Sequence, residues 1–384
     1  MDFVIVSTAD WDNPFWTNKQ HVAATLADMG HRVLYIDSLG LRQPTMTKSD
    51  FGRIKSRMMK LFSGTKKVRE NIWVMAPFSI PLQRYSVIRW LNEFILIYMI
   101  RKIMKKIEFK SPILWIYNPM TYYLIGQLNE KKSVYHCVDD ISAQPGMPKV
   151  LIQESEIKLL QAVDVVFTTS ITLNKDKEKY NSNCYYYSNV ADFNHFHKAY
   201  TDVFERPTDL PNDGKSILGF IGAISGYKQD FKLLGYVAEK CPEYNIVLIG
   251  KVGEGDPYTN IGELKKYKNI FFLGPKAYSE LPCYLSFFDL ALLPCCINEY
   301  TNYMFPMKFF EYISAGKVVI TTEILALAEF RDYCKMANSY SGFVQAIKST
   351  LDVNDKVDMI TKNFSLAKKY TYFYRMQLML KYLV

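Results

Sequence analysis

Lys308 and Glu311 lie three residues apart in FPMKFFEYISAGKVVITTE, residues 305–323, a segment otherwise built of phenylalanines, small residues and a β-branched run. On a helix that spacing puts both on one face. A lysine near a helix N-terminus, where free amides attract anions, can neutralise a diphosphate. A carboxylate one turn later can accept hydrogen bonds from both hydroxyls of a ribose. The same spacing also makes an ordinary surface ion pair, so the pattern alone leaves both readings open. Pro306 suits the first turn, because its missing amide hydrogen costs nothing there, Gly316 terminates the helix, and 317–322 reads as the next strand.

A second candidate is YHCVDDISAQPG, residues 135–146. Residues 134–138 are strand-like, so Asp139 and Asp140 fall where the strand runs out. A carboxylate there can take a proton from an attacking hydroxyl. Adjacent residues point to different sides, so one acts and the other caps or orients. His136 lies inside the strand and reads as buried. Nearer the start, Trp11, Phe15 and Trp16 are interleaved with Asp10, Asp12, Asn13 and Pro14, which suits an exposed loop whose rings stack on a sugar or touch lipid. His21 fits equally as a packed helix residue or an acceptor contact.

These residues need elements to hold them. Short β-branched or aromatic runs alternate with helix-length amphipathic segments, the α/β pattern that feeds a parallel sheet. Strands are expected at 3–7, 32–37, 72–76, 113–117, 134–138 and 165–169. After a Pro/Asn/Asp/Gly-rich stretch they resume at 217–222, 246–250, 270–274, 290–294 and 318–322. With 384 residues, two domains are the natural division: an N-terminal Rossmann-like domain over 1–195, a linker over 196–214, a second such domain over 215–365, and a terminal helix over 366–384 that crosses back. Ligands in such sheets bind beyond the carboxyl ends of the strands, so the glycines there rim a site.

The succession FIGAISGYKQDFKLLGYVAEKCPEYNIVLIG, FFLGPKAYSELPCYLSFFDLALLP and KFFEYISAGKVVITTE resembles the donor domain of GT-B glycosyltransferases. The likeness is to bacterial family 4 enzymes of the exopolysaccharide and teichuronic-acid type and their glucuronosyltransferase relatives. The resemblance implies two facing Rossmann-like domains and a nucleotide-sugar donor, UDP-linked in type. It also implies a polyprenyl-diphosphate-linked saccharide acceptor. By that resemblance Glu311 binds ribose, Lys308 and Met307 beside it meet the diphosphate or donor sugar, Gly222 and Lys228 form the phosphate-side loop, and Tyr278 and Leu281 hold the nucleobase. Asp139 or Asp140 is the base, and Trp11, Phe15, Trp16 and His21 face the acceptor. YYYSNVADFNHF resembles the family's N-G-V-D-x-x-x-F signature, with Asp192 retained and the glycine absent. Many relatives have a second glutamate eight residues before the ribose one. Here that position is Tyr303, which leaves the stereochemical course open.

Net charge is +9. Residues 1–110 hold 18 Lys and Arg against 9 Asp and Glu, whereas 111–384 hold 29 of each, so the whole excess sits in the first third. That asymmetry points to an anionic partner. Arg53, Lys55, Arg57 and Lys60 lie in one basic amphipathic stretch, 51–70. Arg101, Lys102, Lys105 and Lys106 follow an apolar run, and both suit an anionic bilayer. Nucleic acid is disfavoured, since no nucleic-acid motif appears and the apolar residues are aliphatic rather than stacking. No apolar run is long enough to span a bilayer and the first residues carry no signal-peptide pattern, so the expectation is a cytoplasmic protein peripherally bound to the inner face of the membrane. The seven cysteines lack paired spacing, so no disulfide framework or zinc site is expected. No metal or other cofactor is expected either, because lysines and amides can neutralise the leaving group. Two rival readings share the fold: a sugar-nucleotide 2-epimerase, and a non-catalytic membrane scaffold.

Overall fold

A computed structural model describes residues 1–39, 64–78, 86–254, 256, 258–352 and 357–384. Arg53, Lys55, Arg57 and Lys60 lie outside the described residues. The chain divides into two compact units, one formed by Met1–Tyr187 with Met376–Val384 and the other by Ser188–Arg375.

The first unit is built on an eight-stranded sheet. Its strands are β1 (Asp2–Val6), β2 (Arg32–Ile36), β3 (Thr65–Arg69), β4 (Ile72–Met75), β5 (Ile113–Ile116), β6 (Lys132–Cys137), β7 (Val165–Thr168) and β8 (Cys184–Tyr186). They stand in the order β3-β4-β2-β1-β5-β6-β7-β8. The central strands, VIV in β1, RVLYI in β2 and ILWI in β5, are buried and pair in parallel, which is why they read as unbroken apolar runs. Only β3 runs antiparallel, on the edge. Its TKKVR sequence leaves Lys66, Lys67 and Arg69 exposed, a charged edge that discourages pairing with another sheet. Residues 65–69 are therefore a strand and not part of one long basic amphipathic stretch.

The second unit has six parallel strands, β9 (Ile217–Ile221), β10 (Asn245–Ile249), β11 (Ile270–Gly274), β12 (Leu290–Leu293), β13 (Val319–Thr322) and β14 (Lys335–Ala337), ordered β11-β10-β9-β12-β13-β14. The order reverses between β9 and β12, so the loops leaving these two strands diverge and open a crevice at their carboxyl ends. In the first unit the same reversal falls between β1 and β5.

Two boundaries differ from expectation. The chain passes from one unit to the other at Tyr187 and Ser188. Much of the expected linker is part of the second unit: Asp192 caps a helix over Phe193–Thr201, whose Phe193, Phe196 and Ala199, with Leu210 beyond, are buried in its core. Prolines and glycine punctuate this stretch without freeing it. At the other end the terminal helix is Tyr372–Leu380, shorter than expected, and Met376–Val384 belongs to the first unit. There Tyr382 packs on Tyr185 with ring centroids 4.0 Å apart, and its carbonyl accepts from Lys132 Nζ at 3.1 Å.

At one place in the second unit the backbone itself demands glycine. Gly250 has φ +148°, and a Cβ there would stand 1.8 Å from the carbonyl oxygen of Gly222. The ends of β9 and β10 can approach this closely only without a side chain. Gly250→Ala is expected to lower stability by about 2 kcal/mol or more, read as a fall in the thermal midpoint, because neither atom of the clash is a flexible side chain. An unchanged midpoint would show that the two strand ends are not held this close.

Candidate functional site

In the second unit hydrogen bonds brace the loop after β9 on both sides. The loop after β9 meets the loop after β12: Asp230 N–H donates to the Pro294 carbonyl at 2.7 Å, Cys296 N–H to the Lys228 carbonyl at 2.8 Å, and Asn298 Nδ2 to the Tyr227 carbonyl at 2.8 Å. On the other flank Ser225 Oγ donates to the Glu254 carbonyl at 2.5 Å, and Gly226 N–H to Thr259 Oγ1 at 3.1 Å. Lys228 is thereby presented on a fixed loop. Its Nζ lies 5.3 Å from the centroid of Tyr227 and 5.4 Å from that of Tyr300, and it makes no ion pair with any described residue. A cation held by two ring faces and not by a carboxylate keeps its charge available for an anion.

The helix that carries the expected pair is Lys308–Ser314, starting two residues after Pro306 and only seven residues long. Its aromatic residues are core on every side. Phe309 and Phe310 pack with Phe330, and Phe310 stacks on Tyr370 at 4.6 Å. The Tyr312 hydroxyl accepts from the Ile221 amide at 2.8 Å, which ties the helix to the end of β9. Gly316, φ +72°, ends it, and a Cβ there would meet the Tyr200 ring at 2.7 Å. Lys308 Nζ sits 2.6 Å from Glu311 Oε2, with the carboxylate side chain 3% exposed and the lysine 26%. The ion pair is thus present, as a buried carboxylate held by a half-buried lysine.

Around Glu311 lies a group that the sequence only partly disclosed. The His195 ring stacks on Tyr278 at 4.2 Å and 11°, and its Nε2 donates to the Tyr278 carbonyl at 2.9 Å. Burial lowers the pKa of His195, while the peptide carbonyl, Asp192 and Glu311 oppose the fall and Lys198 adds to it. Burial raises the Tyr278 and Tyr372 hydroxyls, and the charges of Glu311 and Asp192 raise both further. Tyr278, expected beside a nucleobase, thus has one face covered by His195. Leu281, its expected companion, is instead a core residue packed with Tyr284, Leu285 and Phe288. His195 and Tyr372 were not singled out by sequence. The one available signal was the position of His195 three residues after the capping Asp192, to whose carboxylate its amide donates at 3.1 Å.

In the first unit, the loop from β1 to the helix Asn18–Asp28 carries the expected aromatic residues. Tyr35 hydroxyl donates to the Ala9 carbonyl at 2.9 Å, Trp11 N–H donates to Asp37 Oδ1 at 2.8 Å, and Gln20 Nε2 donates to the Asp10 carbonyl at 2.9 Å. Trp11, Phe15 and Trp16 are half-buried and His21 is buried. Trp11 packs against Trp16 and Tyr35, and Trp16 against His21, each at 5.3 Å. His136 is buried as expected, stacked on Tyr117 at 5.0 Å.

After β6 the two aspartates separate in role. Asp140 Oδ1 accepts from the Ser142 amide at 2.9 Å and from its hydroxyl at 2.7 Å, so it caps the turn that follows. Asp139 precedes it, half-buried. Under this strand end Glu156 accepts from the Tyr135 hydroxyl at 2.6 Å and from Lys177 Nζ at 2.9 Å, a buried ion pair that fixes β6 in place.

Residues 215–352 match the family model described as glycosyl transferases group 1. Over 179 residues the chain is 27% identical to the Bacillus subtilis (strain 168) protein named teichuronic acid biosynthesis glycosyltransferase TuaH. That match spans 45% of this chain and 44% of the relative, less than half the length of each. Among solved structures, sucrose-phosphate synthase from Thermosynechococcus elongatus superposes with a TM-score of 0.71 at 13% identity, covering 100% of this chain and 98% of that one. Anabaena Alr3699/HepE in complex with UDP-glucose gives 0.68 at 12% identity, covering 100% and 99%. At such identities the likeness is one of fold, and the fold is GT-B.

Because burial disfavours the charged imidazole of His195, the unfolded chain takes up this proton first as pH falls below about 6.5. Stability contributed by the neutral ring is present above that pH and is lost as acidification passes from the unfolded value to the lower folded one. The thermal midpoint should therefore drop below pH 6.5 and drop less in His195→Gln, which retains a donor for the Tyr278 carbonyl. His31, lowered by burial and by the N-terminal amine, leaves a residual acid limb. Identical pH profiles for both proteins would refute the neutral, buried state of His195.

Proposed function

We propose that this GT-B chain, with its glycosyl transferases group 1 domain over residues 215–352, transfers a sugar from a UDP-sugar to a lipid-linked saccharide in the synthesis of a bacterial surface polysaccharide. The observation that carries the reading is that the second unit holds both a carboxylate buried in the helix at 308–314 and a loop-borne lysine that makes no ion pair with any described residue. The relatives support the donor class, since Alr3699/HepE is described in complex with UDP-glucose. The TuaH likeness supports the acceptor class. The acceptor is a saccharide on polyprenyl diphosphate, and the protein works from the inner face of the cell membrane, to which it binds peripherally.

The proposed chemistry is an in-line displacement at the anomeric carbon. Asp139 accepts the proton of the acceptor hydroxyl, whose oxygen forms the new bond as the bond to the diphosphate oxygen breaks, and that electron pair leaves with the nucleotide. Asp140 stays committed to its cap on Ser142. Lys228 and Lys308 neutralise charge growing on the diphosphate, which lowers the barrier because they are already oriented. Glu311 holds the ribose hydroxyls. Lysines and not a metal ion carry the electrostatic load, so activity should survive EDTA.

The decisive measurement incubates the protein with radiolabelled UDP-sugars and a bacterial membrane lipid extract, then reads label in the organic phase. Transfer is expected for at least one sugar; free sugar nucleotide returned in altered form would instead indicate epimerisation, and the absence of both products would sink the enzyme reading. Asp139→Asn is expected to lower kcat by roughly 10²–10⁴-fold. Asp140→Asn should act mainly on stability; the reverse order would reassign the base. Glu311→Ala should weaken UDP binding in calorimetry by about tenfold or more, and unchanged affinity would overturn the ribose assignment.

A further inference from the structure

The helix Ser86–Lys106 in the first unit is amphipathic the wrong way round for a helix facing water. Its inward face is Asn92, Leu96, Ile100 and Met104, all buried. Its outward face begins with Val87, Trp90, Phe94 and Tyr98, which are 73%, 65%, 62% and 58% exposed. At 100° per residue these four fall within an arc of roughly 80° and run about 16 Å along the axis. Trp90 and Phe94 stack on one another with centroids 6.3 Å apart. Arg101, Lys102 and Lys105 continue the same stripe toward the C-terminus, and all are exposed.

Among the described residues Lys102, Lys105 and Lys106 make no ion pair, and Arg101 donates to Gln127, through its carbonyl at 2.7 Å and its side chain at 3.4 Å. The stripe is thus aromatic for half its length and cationic for the other half. Single exposed apolar residues are ordinary, but an aligned row of four large ones is a surface awaiting cover. The cationic half selects the cover. A hydrophobic protein partner would leave those lysines without counter-charges, whereas an anionic bilayer offers acyl chains to Trp90 and Phe94 and phosphates to the lysines. Tryptophan and tyrosine are also the side chains that favour the headgroup boundary.

We propose that this stripe is the membrane-docking face, with Trp90, Phe94 and Tyr98 inserted at the acyl boundary and Lys102, Lys105 and Lys106 on the headgroups. The inference rests on the membrane-bound reading above and adds the residues that enter the lipid. The helix lies on the surface and does not cross it, since no helix among the described residues is long and apolar enough to span a bilayer.

The test is sedimentation of the full chain with phosphatidylcholine vesicles, with and without phosphatidylglycerol. Wild type should bind the anionic vesicles, and Trp90→Ser/Phe94→Ser/Tyr98→Ser should partition roughly tenfold or more weakly while UDP affinity in calorimetry is unchanged. Lys102→Gln/Lys105→Gln/Lys106→Gln should lose the dependence on phosphatidylglycerol and on salt. Trp90 is the one exposed tryptophan of five. Brominated lipid should therefore quench wild-type fluorescence much more than that of Trp90→Phe. Undiminished binding by the serine variant, or equal quenching in Trp90→Phe, overturns the proposal. So does a wild-type dimer that the serine variant dissociates, since the stripe would then cover a second copy. Vesicle binding lost in the serine variant, with no sugar transfer by wild type, would uphold the docking face while removing the transferase reading.

Discussion

A carboxylate at 2% exposure inside an aromatic helix is the constraint around which the second unit is arranged. Removing the Glu311 carboxylate from water costs several kcal/mol, and breaking a buried pair by removing one partner costs about 3–5 kcal/mol. The pair is therefore a poor source of stability, and the surroundings have to bear it. They do so with Phe305, Phe309, Phe310, Phe330 and Tyr370 in mutual ring contact. Tyr312 bonds across to Ile221 from the middle of the same helix. Because Ile221 is the last residue of β9, that bond sets the distance between Glu311 and the loop of Gly222 and Lys228. The packing that tolerates a buried charge is also what positions it.

In both units a loop carrying candidate residues leaves a strand at the reversal of strand order, but the two loops are furnished differently. In the second unit glycine lets the ends of β9 and β10 meet within the space of a single side chain, and loops on either side lock Lys228 in a fixed pose. Backbone and cations dominate there, which suits phosphate. In the first unit the loop after β1 is set by the Ser7, Tyr35 and Asp37 bonds and is lined with rings. Ring faces and carboxylates suit a sugar and a hydroxyl proton. In that loop Thr17 serves the helix that follows, its hydroxyl and amide both donating to Gln20 Oε1.

All eleven strands expected from the sequence are present, because each is a short apolar run flanked by polar or glycine punctuation. The three that went unseen are β3, β8 and β14, whose sequences TKKVR, CYY and KMA are short and lie at sheet edges. An edge strand is shaped by one neighbour and by solvent, so it lacks the apolar signature of a central one. The site was legible to the extent that its parts were local. Lys308 and Glu311 share a helix turn, and Asp139 and Asp140 end a strand. His195 and Tyr372 reach Glu311 from 116 residues before and 61 after, and no local pattern announces them. That Asp140 is the one that caps was decided only by the bonds of Ser142.

The helix at 86–106 shows the same limit from the other direction. Its sequence is apolar nearly all round, so periodicity alone gives no inward face, and the run 94–100 with the basic residues after it suits a bilayer surface without saying which side chains would meet it. Only the burial of Asn92, Leu96, Ile100 and Met104 reveals that the aromatic residues are the ones left outside. This distinguishes two uses of positive charge. Lys228 is clasped by rings, half-buried, and effective over a few ångströms. Lys102, Lys105 and Lys106 stand in water, where salt screens them beyond about 10 Å. Charges of the second kind cannot organise a transition state, but they can hold a surface. The exposed lysines at the end of this helix are therefore better suited to holding a surface than to chemistry.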